Sequence, residues 1–369
     1  MSEVSNSSQV SLLNLILPKE SVLRVSNAVA SAGAEGVFQI TARGSVLNEG
    51  GFLQRMFPPP APEQVVLQAL VPDSKVESVM EAAISAGNLD RVGSGAVFTI
   101  SCNQAWFSKS FPGGPSDQEG YTSSFSSGDL EAICCICEIG VADDIAKAAL
   151  EGGAPGPTIT FGEGGGVRDK IPLLRITKGP EKEFVWCVVE KSDADDIFGG
   201  MARAGKITEP GRGFMYSIPV SNGLINVSST VSSSAHGANM EQIISALDDL
   251  KGGKDWRTSA DDGKSRALKT TFLENLVGLY CIVPRDYYED VYDSILDAGA
   301  PGVSTNFGIM VDSGDDDQNE EWALVYTSVG PDSVESLREK IESKLVSLNV
   351  SGFASYTLPI PRALTYLGG

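Results

Sequence analysis

Ala32-Gly33-Ala34-Glu35-Gly36, Gly152-Gly153-Ala154-Pro155-Gly156 and Ala298-Gly299-Ala300-Pro301-Gly302 are one small-residue turn written three times. An apolar run precedes each at a fixed interval: Leu13 to Gly33, Ile133 to Gly153 and Leu279 to Gly299 are all twenty residues apart. After each turn come a β-like stretch, a variable loop, a second β-like stretch and a helical stretch. A glycine (Gly95, Gly213 or Gly352) then precedes a last apolar strand. Self-similarity at this scale marks a chain built from copies of one unit. Three units of about 90–100 residues suit a chain of 369.

The first unit shows the pattern most plainly. Leu12–Leu17 is an apolar strand that Pro18 ends, and Val22, Val25 and Val29 then fall at helical spacing. Val37–Ala42 alternates as a strand, and Gly44–Pro62 reads as a loop. Val65–Val71 is the next strand. After the helix-start pair Pro72-Asp73, the residues Val76, Val79, Met80, Ala83 and Ile84 mark a helix face. Ala96–Cys102 closes the unit. The spacing places the units at 11–107, 129–228 and 275–369, joined by linkers 108–128 and 229–274. The second linker is predicted to hold one short amphipathic helix over Met240–Leu250.

The order β-α-β-β-α-β is a split βαβ, the ferredoxin-like arrangement, and right-handed crossovers put both helices on one sheet face. The strands are apolar on both alternations, as in Ile133-Cys134-Cys135-Ile136-Cys137 and Phe184-Val185-Trp186-Cys187-Val188-Val189. Such runs predict sheets buried on both sides. The expected fold is therefore α+β: three tandem ferredoxin-like domains whose sheets face a common axis, a pseudo-trimer in one chain.

A formal charge of -20 argues against nucleic acid and anionic membrane surfaces, which need clustered Lys and Arg. No apolar run reaches the ~18–20 residues of a membrane span. Met1 to Val10 lacks the pattern of an export signal, so the cytoplasm is the expected location. Cys102, Cys134, Cys135, Cys137, Cys187 and Cys281 all lie in predicted strands and read as reduced core residues. The one histidine, His236, falls in a Ser-rich linker. Asp143-Asp144 and Asp195-Asp196 stand at helix starts, where they complement the dipole. No enzyme, metal site or resident cofactor is expected.

Two loops carry the candidate chemistry. In Gly162-Glu163-Gly164-Gly165-Gly166-Val167-Arg168-Asp169-Lys170, consecutive glycines let backbone N–H groups converge on an anion. Arg168 with Lys170 or Lys182 would neutralise it, and Gly211-Arg212-Gly213 would add a second glycine turn. The plainer reading is a surface loop. Asp312–Glu321 is oxygen-rich but lacks EF-hand spacing, and reads as a solvated turn. Met56-Phe57-Pro58-Pro59-Pro60 reads as a stiff connector, while Phe52, Leu53, Met56 and Phe57 are apolar enough for an interface.

The strand order and glycine positions together resemble the PII nitrogen-regulatory signalling family. The second unit is closest, with Gly156-Pro157-Thr158, Gly164-Gly165-Gly166, Lys182 before its third strand, and Gly205-Lys206 through Gly211-Arg212-Gly213-Phe214. The resemblance implies a trimer-like body, a cleft for ATP, ADP or AMP, and signalling through loops to a protein partner. Its nucleotide residues here would be Gly164, Gly165, Gly166, Arg168, Lys182, Gly211, Arg212 and Gly213. Phe214 stands where the family's loop lysine would be. Ala96 and Gln64 replace lysines in the first unit, and the third keeps only Gly352. The expected function is a non-enzymatic regulatory protein with its ligand at the second unit. The alternative is a scaffold that self-associates into rings or filaments, with nucleotide binding lost.

Overall fold

The computed structural model describes residues 4–47, 61–112, 127–166, 180–227, 230–231, 250, 271–311 and 320–367. Three small strands are peripheral: β1 (Val4–Ser7), β4 (Val46–Leu47) and β12 (Thr230–Val231). The first third carries β2 (Val10–Pro18), α1 (Val22–Ser31), β3 (Val37–Gly44), β5 (Glu63–Pro72), α2 (Val76–Gly87), β6 (Gly95–Ser101) and β7 (Gln104–Ser108). The second carries β8 (Ser127–Glu138), α3 (Ala142–Glu151), β9 (Thr158–Gly166), β10 (Glu181–Glu190), α4 (Ala194–Ala204) and β11 (Gly213–Asn226). The last carries β13 (Leu273–Pro284), α5 (Tyr288–Asp297), β14 (Gly302–Val311), β15 (Glu320–Val329), α6 (Pro331–Ser347) and β16 (Ala354–Thr365). The Met240–Leu250 helix, the 52–60 loop and His236 lie outside the described residues, Leu250 alone excepted.

Every described strand except β4 and β12 belongs to one fourteen-stranded sheet. Ten of them form a closed antiparallel circuit: β16, β13, β15, β14, β9, β3, β5, β2, β6, β11 and back to β16. β8 and β10 bridge that circuit from β11 to β9. This corrects the expected fold class. The chain order β-α-β-β-α-β in each third does not delimit three tandem ferredoxin-like domains; the body is a mostly-β closed barrel with helices outside it. The physical reason lies at the sheet borders. Strands that would have ended separate sheets pair across the thirds instead, as Ala42↔Thr160, Gly302↔Gly166, Ile309↔Gln39, Leu224↔Val97 and Phe214↔Thr365 show. Pairing removes the rows of open N–H and C=O groups that a free edge would leave.

Strand alternation sorts the core. On β2, Leu12 and Ile16 enter the central barrel cluster, while Leu13, Leu15 and Leu17 face α1 and α2. On β8, Cys134 and Ile136 point inward and Ile133, Cys135 and Cys137 outward to α3 and α4. Tyr280 and Ile282 on β13 point inward, with Leu279, Cys281 and Val283 under α5 and α6. The helices supply matching stripes, such as Val25 and Val29 on α1 and Leu337, Ile341 and Leu345 on α6.

The interior is filled. Tyr326, Tyr280 and Tyr356 sit in register on three adjacent strands, their rings stacked at 5.0 and 5.1 Å between centroids. Tyr216 Oη lies 3.4 Å from Tyr280 Oη, and the Tyr326 hydroxyl donates to Asn306 Oδ1 at 3.3 Å. Burial pushes all four phenols above their ordinary range, so they stay neutral.

Two of the glycines that open a last strand are explained by close approach. Gly213 has φ +149°, and a Cβ there would lie 2.0 Å from the Ile136 carbonyl oxygen; Gly95, at φ +129°, would meet the Ile16 oxygen at 2.2 Å. Gly213→Ala is expected to lower unfolding free energy by about 2–4 kcal/mol in urea titrations. Gly330→Ala, with nothing within 4 Å of its Cβ position, should change it by no more than about 1 kcal/mol.

Candidate functional site

The first strand of each third ends opposite one residue of the third strand: Pro18↔Gln64, Glu138↔Lys182 and Pro284↔Trp322. Gln64, Lys182 and Trp322 are thus equivalent positions in the ladder. One frame presents three chemistries.

Beside Gln64 lies an open cleft of about 630 Å³, lined among others by Pro18, Lys19, Glu63, Gly95 and Val227 from the second third. Its size is ordinary for a small-molecule site. Lys19 and Glu63 are paired at 2.8 Å and both mostly exposed, so the cation there is already matched. Gln64 is buried, and its Oε1 accepts from the Thr158 hydroxyl at 2.9 Å. Gly93 N–H donates to the Asn226 carbonyl at 2.7 Å and Ser94 N–H to that of Arg91 at 3.2 Å. Those turn amides are therefore not free for an anion.

The second strand end gathers most of the candidate residues. Lys182 lies opposite Glu138 in the ladder, and Arg212 Nη1 reaches Glu138 Oε2 at 3.5 Å. Arg212 also meets Glu209 at 3.4 Å. Gly164 lies under the Lys182 stem, with its Cβ position 3.1 Å from Lys182 Cγ. Gly211 and Gly213 flank Arg212, both with positive φ. Gly164, Gly165 and Gly166 do not form a loop, however. They end β9 and pair with Ser304, Val303 and Gly302 of β14, so their spacing serves a strand ladder rather than a nest of convergent amides. Arg168, Lys170 and residues 312–319 of the acidic loop lie outside the described residues.

Sequence reasoning missed the ion cluster next to this end. Glu183 is buried, and its Oε2 accepts from the N–H groups of Gly140 at 2.8 Å and Ala142 at 3.3 Å, at the start of α3. Its carboxylate occupies the place where a helix N-terminus would attract an anion. Arg43 from β3 binds it at 3.3 Å and Asp143 at 2.6 Å, tying the first third to the second. Arg362 makes the matching tie from the last third, to Glu131 at 2.9 Å, Ser217 at 3.1 Å and Asp195. The signal available was Glu183 as the innermost charge of the run Glu181-Lys182-Glu183, directly against the apolar stretch Phe184–Val189.

At the third end Trp322 is 4% exposed, and Phe111 packs against it edge-on at 6.0 Å between centroids. No group of three or more His, Cys, Asp or Glu suited to a metal occurs among the described residues. All six cysteines are buried and unpaired. Burial pushes the Cys187 and Cys281 thiols up to about 12, and burial together with the Glu183 carboxylate does the same for Cys137.

No protein-family model and no curated protein matches this chain. Among solved structures, it is similar to an anthrone oxidase-like protein at 9% identity, covering 63% of this chain and all of that one, with a TM-score of 0.18. A bacterial light-regulated adenylyl cyclase follows at 11% identity, covering 65% and 78%, with a TM-score of 0.15. At such scores neither likeness carries an argument about fold or activity. The expected PII membership, and the nitrogen-regulatory role it implied, are corrected on these findings: the sheet closes as a barrel and no family model matches.

The thiols yield a pH prediction. Their folded pKa values stand above the ordinary 9.0, so the unfolded chain loses protons first as pH rises. Stability contributed by these groups is whole below pH 9 and should fall between pH 9 and 12, each fully shifted thiol adding a slope of about 1.4 kcal/mol per pH unit. Urea midpoints across that window, with Cys187→Ala and Cys281→Ala flattening the decline, provide the check.

Proposed function

We propose that this protein is a non-enzymatic regulatory barrel that takes a small anionic ligand at its second strand end and contacts a protein partner through its loops. The observation that supports this most is the gathering of two cations at the end of β8, where Lys182 lies opposite Glu138 in the ladder and Arg212 pairs with the Glu138 carboxylate. A ligand phosphate or carboxylate would compete with Glu138 and Glu209 for these cations. Two cations set against two carboxylates suit one anionic group better than a triphosphate chain. Of the adenine nucleotides, AMP fits that balance better than ATP. Six buried thiols suit a reducing compartment, and the cytoplasm is the location we propose. No helix among the described residues is long and apolar enough to cross a membrane.

The self-assembling scaffold has one observation in its favour. Strand β1 ends the sheet order and, among the described residues, pairs with β7 alone and leaves its other edge open. It is four residues long, a short template for strand addition. Light scattering over a concentration series separates the readings: a constant mass near 38.9 kDa disfavours assembly, and growth favours it.

Calorimetric titration at low salt with AMP, ADP, ATP and inorganic phosphate tests the regulatory reading. Saturable heat is expected with AMP, reduced about tenfold or more in affinity by Lys182→Ala and by Arg212→Ala, as loss of a charged hydrogen bond predicts. Silence for all four ligands, or binding that neither substitution weakens, overturns it.

A further inference from the structure

We propose that the third strand end is a self-occupied aromatic site, in which Phe111 stands where the aromatic ring of a ligand would go. Two independent observations lead there. Trp322 occupies the ladder position that Gln64 holds beside the open cleft of about 630 Å³. At Trp322 the equivalent space is covered by the chain just beyond β7. Phe111 lies 8% exposed, edge-on to Trp322 at 6.0 Å and tilted against Phe107 at 6.0 Å.

The second observation is polar. Trp322 Nε1–H is buried with no acceptor among the described residues. Buried indole N–H groups ordinarily find one. The Phe111 phenyl fills the apolar part of the space but offers this donor nothing. A ligand presenting both a ring and a carbonyl oxygen would satisfy what the strap leaves open.

The strap is held in a way that permits exchange. Ladder pairing of β7 with β16 ends at Phe107↔Ala354. Ser108 then makes two further bonds, donating its N–H to the Phe353 carbonyl at 3.0 Å and accepting the Phe353 N–H on Oγ at 2.8 Å. Phe111 N–H closes a turn on Ser108 O at 3.0 Å. Past that turn, Phe111 is held by ring packing and by the close passage of Pro112 over Gly36, whose Cβ position lies 1.9 Å from the Pro112 oxygen. The ring can leave without breaking the barrel ladder. The proposal draws on neither Lys182 nor Arg212, so failure of the anion reading leaves it standing.

The test uses N-acetyl-phenylalaninamide, which carries a ring and amide carbonyls, with N-acetyl-glycinamide as the ringless control. Trp emission is followed in the full-length chain, with Trp322→Phe identifying the signal. Phe111→Ala is expected to bind the phenyl probe at least about tenfold more tightly than wild type, as the vacated apolar surface predicts. The glycine control should not bind, and Trp322→Phe should remove the response. Should Phe111→Ala fail to fold, Gly36→Ala pushes the Pro112 carbonyl away while keeping both rings. It is expected to raise acrylamide quenching of Trp322 and to admit the same probe. A folded Phe111→Ala or Gly36→Ala chain that binds the probe no better than wild type overturns the proposal.

Discussion

A strand that is apolar on both faces has no side to offer water, and this constraint organises the whole molecule. Each third buries one face of its sheet under its own two helices and leaves the other face bare. Only the other thirds can cover it. Once they do, the border strands lie against one another, and backbone groups that would need water find partners across the seam instead. Two-faced apolarity therefore leads to closure, closure merges the sheets, and the helices are left outside as an outer layer.

Closure also decides where function can reside. The inner cluster draws Phe38, Phe98, Phe184, Tyr216, Tyr280 and Tyr356 from all three thirds, and it is packed rather than hollow. The stacked tyrosine row runs across β15, β13 and β16, and the phenols are kept neutral by burial. The thiols are likewise held protonated by the same dry surroundings. Groups that would be nucleophiles or general bases in water are core material here. Among the described residues, the open cleft and the Lys19–Glu63 and Arg212–Glu138 ion pairs lie at the rim, where strands begin and end.

Much of the local structure was legible in the sequence. The repeated turns, the helix stripes and the strand runs depend on neighbours within a few residues, and they fall close to where periodicity placed them. The continuity of the sheet was not legible. Ala42↔Thr160 and Phe214↔Thr365 join residues more than a hundred positions apart by backbone bonds, which leave no mark on side-chain pattern. Shared element order pointed to a known family and to three sheets, because order says nothing about where a ladder stops. β1 and β7 escaped notice because Val4–Ser7 and Gln104–Ser108 are short and partly polar. Gly164–Gly166 reads from sequence as a surface loop, or as a candidate anion loop, because glycine serves more than one purpose: it frees amides in a turn, and it lets a facing backbone such as that of β14 come close.

The three strand ends show how one backbone frame is turned to different uses by a single side chain. Gln64 is neutral and bonded to Thr158, and the space beside it stays open. Lys182 brings a charge opposite Glu138, whose carboxylate Arg212 meets. Trp322 brings a large ring, and the strap after β7 answers with Phe111. At the first and third ends the partner comes from another third, so the residue at this position also helps hold the adjoining thirds together. A change at the first or third end would therefore act on the contacts between thirds.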